Sequence, residues 1–175
     1  IQGFYKDLRN LVVRGVGPSE PPLDDGGVGR VYGGEVLARQ ELRRNFFGWI
    51  SYTVMRSERR DHPGDPWRPF QYDQTHILTL LGSYKLPLGF QVGLRFRYVT
   101  GDPYTPVIGS YFDVNSDTYV RLNGPVNSAR LGSFNQLDVR FDKKWTYHRW
   151  SMALYLDIQN IYNASNPEGY GYNFD

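Results

Sequence analysis

Cysteine is absent from this 175-residue sequence, which rules out disulfide bonds. No run of about 18 apolar residues occurs either, so membrane-spanning helices are excluded. Lys and Arg number 20 while Asp and Glu number 18, and this near balance provides no positive field for nucleic acid. We therefore expect neither a helical membrane anchor nor a nucleic-acid partner.

Groups that could hold a metal ion or carry catalysis are scattered along the chain. His62, His76 and His148 fall in a predicted loop, a predicted strand and a turn at the opposite end of the predicted sheet, too far apart for a metal site. No Ser, His and Asp set converges on a nucleophile. Residues 26–34 are rich in glycine but lack the spacing and the strand-to-helix context of a phosphate-binding loop. We expect no enzymatic activity, no metal site and no cofactor.

The ends of the sequence also lack familiar features. The first residue is not Met, no charged-then-apolar leader precedes the first predicted strand, and Asp175 directly follows an aromatic run. These features predict that the chain is a piece of a longer protein.

What the sequence has in abundance is alternation of apolar and polar residues, most clearly at 137–162. Apolar Leu137, Val139 and Phe141 alternate with charged Asp138 and Arg140, and the same period of two resumes after a short turn at 147–148. Each arm of this predicted hairpin spans at least ten residues, which at roughly 3.3 Å per residue can cross a tilted bilayer core. The hairpin is therefore long enough to span a membrane.

Five further strands are predicted upstream, and the connections between them alternate in length. The predicted strands are 4–13, 30–42, 46–58, 72–86 and 90–98. Tight turns are predicted at 43–45, 87–89 and 147–148, and long loops at 15–29, 61–69, 101–133 and after 163. One end of the sheet would thus carry short turns and the other long loops, which is typical of outer-membrane barrels. Aromatic residues concentrate near the short turns, as in an interfacial belt: Phe46, Trp49, Tyr84, Phe90, Trp145, Tyr147 and Trp150.

A soluble β-sandwich would also show alternation, since it has one apolar and one polar face. The strand lengths, the one-sided loops and the aromatic belt favour a membrane barrel over that alternative. We predict an all-β, antiparallel, up-and-down transmembrane β-barrel segment of seven to eight strands that forms an open wall, with residues 170–174 as the beginning of an eighth strand.

Several phrases of the sequence also resemble a known family. They are GFYKDL at 3–8, YGGEV at 32–36, WISYT at 49–53, YVTGDPYTP at 98–106, QLDVR at 136–140 and LDIQNIYN at 156–163. In this order and spacing they resemble the C-terminal part of the barrel of TonB-dependent outer-membrane receptors. The resemblance covers almost the whole chain, although each phrase alone is weak.

This resemblance implies both a location and a function. Family members form barrels of about 22 strands around an N-terminal plug. They import siderophores, cobalamin, carbohydrates or other scarce nutrients across the outer membrane of Gram-negative bacteria, and they are energised by the TonB complex. Residues 1–175 would be a partial barrel domain without the plug, the energy-coupling motif or the final strand. Its partners would be outer-membrane lipid, the rest of the barrel and its plug, the TonB complex and an unidentified small-molecule substrate. The alternative is a non-transporting outer-membrane barrel that serves as a surface scaffold, adhesin or assembly component.

Part of a calcium-loop pattern occurs at 113–117, where Asp113, Asn115 and Asp117 place oxygen ligands at every second position. Thr118 stands where the turn glycine of such a loop should be, and Gly124 where its bidentate Glu should be. A polar loop tip is the favoured interpretation.

Candidate site residues fall into two groups. Charged residues on the polar side of the strands are predicted to face the lumen, with structural pairing or plug docking favoured over substrate contact: Glu35, Arg39, Arg95, Arg97, Asp138, Arg140, Asp142 and Asp157. Substrate contact is predicted from the long loop at 101–133, where aromatic faces and a positive charge are available: Tyr104, Tyr111, Phe112, Tyr119 and Arg121.

The turns also predict which residues pair across the strands. In the last hairpin the predicted partners are Trp145 with Trp150, Phe141 with Leu154, Val139 with Leu156 and Leu137 with Ile158. Elsewhere they are Leu86 with Phe90, Leu80 with Phe96, Leu78 with Tyr98 and Val36 with Tyr52. Leu94, Phe96, Val139 and Leu156 are predicted to meet lipid and therefore to be exposed on the protein surface.

Overall fold

The structure, a computed structural model, describes residues 1–14 and 22–172. Within these ranges the chain is all-β, with no α-helix and one 3₁₀ turn at Pro87–Gly89. The strands are β1 (Gln2–Arg14), β2 (Leu23–Arg43), β3 (Phe46–Arg60), β4 (Arg68–Pro69), β5 (His76–Lys85), β6 (Phe90–Val99), β7 (Pro103–Tyr104), β8 (Val107–Asp113), β9 (Thr118–Asn123), β10 (Ala129–Arg130), β11 (Phe134–Thr146) and β12 (Ser151–Ile158). No helix in the described part of the chain is long and apolar enough to span a membrane.

The seven long strands form one antiparallel sheet in the order β1-β2-β3-β5-β6-β11-β12, and β4 pairs with β3. Each long strand lies beside the next long strand of the chain, so the topology is an up-and-down meander, as predicted. The described strands do not close into a barrel, because β1 and β12 lie at opposite ends of the sheet.

Four of the eight predicted pairs are found. Leu78 lies opposite Tyr98, Leu80 opposite Phe96 and Val36 opposite Tyr52. The Leu86 N–H donates to the Phe90 carbonyl at 2.9 Å, which also places this predicted pair together. These registers follow from short connections whose central residues the sequence identifies.

The predicted register of the last hairpin is wrong by two residues. Val139 lies opposite Ile158 and Phe141 opposite Leu156, while Trp145 lies opposite Met152. The Tyr147 N–H donates to the Trp150 carbonyl at 2.8 Å, so the turn is centred on 148–149 rather than on 147–148. A turn that moves by one residue moves the register by two, which leaves every side chain on its predicted face.

Left-handed backbone conformations make two of the short turns. Arg44 and Asn45 have φ of 49° and 68°, and positive φ at both central residues is the geometry of a type I′ hairpin turn. Leu88 and Gly89 have φ of 61° and 78° in the connection from β5 to β6. The tight turns predicted at 43–45 and 87–89 are therefore confirmed, and β2 extends to Arg43.

Several predicted boundaries are wrong. The loop predicted at 15–29 is strand from Leu23 onward, and its residues 15–21 lie outside the described residues. The loop predicted at 101–133 contains the β8–β9 hairpin and the β7–β10 pair. The strand predicted from 72 begins at His76, because Asp73 turns inward to make polar contacts. Residues 170–172 are not in a strand, and 173–175 lie outside the described residues.

The sheet is a single layer without a conventional apolar core. Among the described residues the buried apolar side chains are Val99 and Val139. On the face predicted to be apolar, Leu94 and Leu156 are 50% and 59% exposed, as predicted, whereas Phe96 is half-buried. Val139 is only 8% exposed, contrary to prediction, because Leu94 and Ile158 lie opposite it on both neighbouring strands. No second layer covers this face within the described ranges.

Candidate functional site

The predicted lumen residues lie together on the face opposite the exposed apolar side chains. One cross-strand row runs through Arg39, Trp49, Leu81, Arg95 and Asp138, each opposite the next. Because side chains alternate along a strand, the other predicted residues share this face: Glu35, Arg97, Arg140, Asp142 and Asp157. The alternation thus assigns the face correctly, and we call it the charged face.

Asp138 is the most buried acid of the charged face, with its side chain 7% exposed. Its carboxylate accepts hydrogen bonds from Arg95 Nε at 2.8 Å and Nη2 at 2.6 Å, from Gln136 Nε2 at 2.7 Å and from the Asn160 N–H at 2.9 Å. A buried charge that is fully hydrogen-bonded is structurally satisfied. The Arg95–Asp138 pair joins β6 to β11, and the bond from the Asn160 N–H joins the segment after β12 to β11.

The remaining charged residues form looser contacts. Arg140 pairs with Asp142 at 3.0 Å along the same strand and lies opposite Asp157. The Arg97 guanidinium lies 5.6 Å from the ring centroid of Phe134. Arg39 pairs at 3.0 Å with Glu41, which the sequence did not single out. Most of these charges are thus held by neighbours, which suits a structural network.

Aromatic residues gather at the short-turn end, where the sequence predicts the belt. Phe46 lies opposite Tyr84, and the rings of Tyr147 and Trp150 stack with centroids 4.1 Å apart. Lys143 Nζ lies 4.0 Å from the ring centroid of Phe90. Trp49, a predicted member of the belt, instead lies on the charged face.

The long loops are anchored to the sheet by a buried acid that sequence reasoning missed. Asp73 is fully buried, and its carboxylate accepts hydrogen bonds from the Ser57 N–H, from Arg130 Nη2 and from the Thr75 hydroxyl at 3.2 Å. Arg130 also donates to the carbonyls of Asp73 at 2.7 Å and of Gly101 at 3.1 Å. One ion pair therefore joins the connection after β3 to the connection after β6.

Further bonds hold the same loops in place. Gln74 donates to Asp102 at 3.3 Å, and Asn127 Nδ2 donates to the Pro69 carbonyl at 2.8 Å. Gly101 packs so closely that an added Cβ would lie 2.1 Å from the Leu131 carbonyl oxygen. A side chain at this position would push the two loop segments apart. The hydrogen bonds and this close packing together give the loops at this end of the sheet a fixed arrangement.

The predicted substrate residues are divided between two parts of this surface. Tyr104, on β7, packs against Tyr170 with ring centroids 5.3 Å apart, and burial together with Tyr172 and Tyr170 raises the pKa of its hydroxyl. The other residues are on the β8–β9 hairpin, where Phe112 lies opposite Tyr119. By strand alternation Arg121 shares their face while Tyr111 is on the opposite face. The structure thus does not bring all five residues to one site.

The hairpin tip uses its acid internally, which agrees with the polar loop tip favoured from the sequence. Asp113 accepts hydrogen bonds from the Asn115 N–H at 3.0 Å and from the Ser116 hydroxyl at 2.8 Å. These bonds, from Ser116 first, hold the pKa of Asp113 below its usual value. No group of three or more His, Cys, Asp or Glu side chains that could hold a metal ion occurs among the described residues.

This bonding predicts a pH-dependent hairpin tip. Because the pKa of Asp113 is lowered by folding, its contribution to stability is present above the ordinary carboxyl pKa and is lost as pH falls through the folded value. We expect Ser116→Ala to raise the pKa of Asp113 toward the ordinary value, as measured by NMR titration of the carboxyl carbon. Ser110→Ala, on the same hairpin away from the tip, serves as the control. An unchanged pKa in Ser116→Ala would show that the hydroxyl does not stabilise the carboxylate.

A cavity of about 370 Å³ opens between the end of the charged face and the loops. Arg97 lines it from the sheet, Asp102 and Leu131 from the loop after β6, and Asn166 and Glu168 from the segment after β12. Its mixture of a guanidinium, carboxylates and an amide is suited to a polar ligand. Of these residues the sequence identified only Arg97.

No protein-family model, curated protein or solved structure matches this chain. Its class therefore rests on the fold: an open, antiparallel, up-and-down β-sheet with one apolar face, one charged face, and long loops anchored at one end.

Proposed function

We propose that the chain is a wall segment of an outer-membrane active transporter of the TonB-dependent receptor class, which takes up a scarce nutrient such as a siderophore, cobalamin or a carbohydrate. The observation that carries this proposal is the exposed apolar face of a long-stranded antiparallel meander. Ile50, Leu94 and Leu156, on three different strands, are between 50% and 59% exposed on that face. Exposure of such an apolar surface to water is unfavourable, whereas contact with lipid is favourable.

The opposite face supports the same proposal. Arg95 and Arg140 are disfavoured against hydrocarbon, because an arginine at the bilayer midplane costs about 2–4 kcal/mol in a barrel, and Asp138 is a further charge on this face. A wet lumen or a docked plug would accommodate them. The anchored loops at one end would then form the entrance, where a nutrient first meets the protein.

A labelling experiment tests which face meets lipid. Residues 1–175 contain no cysteine, so each variant introduces the single cysteine of this chain. Leu80→Cys and Thr79→Cys change neighbouring residues of β5 that point to opposite faces. We expect brominated lipids to quench a fluorophore attached at position 80 severalfold more than one attached at position 79, in the membrane-embedded protein that contains this chain. Equal quenching at the two positions would contradict the membrane assignment.

A surface scaffold is the second candidate, because bonds such as Arg130 to Asp73 give the loops a fixed arrangement that a binding surface also needs. Uptake of labelled nutrient distinguishes the two. A transporter loses uptake when the inner-membrane energy source is removed, whereas a scaffold retains its binding and shows no uptake in either condition.

A further inference from the structure

Two arginines near the end of β3 have buried N–H groups without hydrogen-bond partners. Within residues 1–14 and 22–172, Arg59 Nε and Nη1 and Arg60 Nε are inaccessible to solvent and unpaired. Leaving such donors unsatisfied is costly, and for a charged group it costs more than for a neutral one. These donors show that neither guanidinium is fully used by acceptors within the described residues.

The fold builds a place for Arg59. The Arg59 guanidinium lies 4.2 Å from the ring centroid of Phe70. Its side chain passes over Gly29, the residue opposite Arg59 on β2. A Cβ at Gly29 would lie 2.6 Å from Arg59 Nη1, so only glycine leaves room for this path. Arg59 and Arg60 line a cavity of about 310 Å³ together with Arg68, to which the Leu11 and Val13 region of β1 supplies an apolar wall.

The surrounding acids are already engaged with other arginines. Asp61 accepts two hydrogen bonds from Arg68 Nη2, at 2.7 and 2.8 Å. Glu58 pairs with Arg30 at 2.6 Å and with Arg56 at 3.4 Å. The neighbour of the Arg60 guanidinium is aromatic rather than acidic: its central carbon lies 5.0 Å from the ring centroid of Trp67. Within the described ranges no carboxylate pairs with Arg59 or Arg60.

We propose that this cavity, the Arg59 cavity, binds a phosphate group. The cavity is lined by three arginines, two of which have no carboxylate partner among the described residues, and guanidinium groups bind the oxygens of a phosphate. Stacking on Phe70 keeps the plane of the Arg59 guanidinium fixed. The cavity volume is near the lower limit of small-ligand sites, which suits a phosphate or a phosphorylated headgroup rather than a large ligand. The group could come from a soluble phosphate compound or from a phospholipid headgroup.

Titration with inorganic phosphate, and separately with short-chain phosphatidylglycerol in phosphate-free detergent, tests the proposal on the purified protein that contains this chain. We expect binding in at least one of the two titrations, and an affinity at least about tenfold lower in Arg59→Gln. Gly29→Ala, which keeps the charge but displaces the guanidinium, should weaken binding as well. Arg39→Gln is the control, because Arg39 pairs with Glu41 in an exposed position elsewhere.

The pattern across the two titrations identifies the source of the phosphate. Binding of inorganic phosphate that depends on Arg59 supports a soluble ligand, and Arg59-dependent binding of phosphatidylglycerol alone supports a lipid headgroup. The proposal is overturned if neither compound binds, or if Arg59→Gln and Arg39→Gln bind as the unaltered protein does. Unchanged circular dichroism of Arg59→Gln would show that a loss of binding is not a loss of fold.

Discussion

Replacing Asp73 by Ala should lower the free energy of unfolding by about 3–5 kcal/mol, the loss that follows when one partner of a buried ion pair is removed. The carboxylate is fully buried, and its removal leaves the charge of Arg130 without its carboxylate partner and the Ser57 N–H without its acceptor. Arg130 also bonds to Gly101 at the start of the long loop. The loop at 101–133 should therefore detach from the sheet, and protease should cleave it faster.

Urea unfolding and limited proteolysis of the same samples measure both effects. Glu41→Ala provides the matched control, because Glu41 also pairs with an arginine but is 75% exposed, and an exposed pair contributes about 0–1 kcal/mol. Asp73→Asn combined with Arg130→Met removes both charges together and should recover part of the loss in Asp73→Ala. If Asp73→Ala unfolds like Glu41→Ala, the buried pair does not anchor the loop.

The face of each strand could be predicted from the sequence because side chains alternate with a period of two, and one face is apolar along most of the sheet. Leu94 and Arg95 thus go to opposite faces whatever their partners are. The register needs more information, namely the centre of each turn. Positive φ at Arg44 and Asn45 makes one turn tight, whereas nothing local distinguishes a hairpin centred on 147–148 from one centred on 148–149.

The loop end of the sheet could not be predicted in the same way. Asp73 and Arg130 are 57 residues apart, and only the completed sheet brings them together. Aspartate is depleted in strands, but Asp73 gives no usable local signal here, because Asp138, Asp142 and Asp157 lie within strands of the same sheet. Glycine-rich 23–29 is predicted as loop on composition, but Gly29 pairs with Leu8 and Arg59 in the sheet, and the Arg59 side chain occupies the space that a side chain at 29 would take.

On the charged face, too, the sequence predicts which residues share the face but not which of them bond to each other. Alternation predicts that Arg95 and Asp138 share a face, and the register makes them direct neighbours. It does not predict that Arg140 bonds to Asp142 on its own strand, since that choice depends on side-chain conformations. Val139 is likewise buried by its cross-strand neighbours rather than by its own sequence context.

Replacing Ile50 by Arg should lower the free energy of unfolding in lipid vesicles by about 2–4 kcal/mol, the range for Arg at the midplane of a lipid-facing barrel surface. Ile50 is 50% exposed on the apolar face, between Ala38 and Leu80 on the neighbouring strands. An arginine there would contact hydrocarbon without a carboxylate beside it.

Ser51→Arg is the matched control, because Ser51 is the next residue of β3 and points to the charged face, opposite Leu37 and Thr79. An arginine at this position reaches the wet side of the sheet, so we expect a change of no more than about 1 kcal/mol. The difference between the two variants, measured by urea unfolding in vesicles, reports the environment of each face directly. A soluble sandwich with its core on the same apolar side would also be sensitive at Ile50, but it would unfold identically with and without vesicles. Stability of Ile50→Arg that does not depend on lipid would therefore argue against a membrane wall.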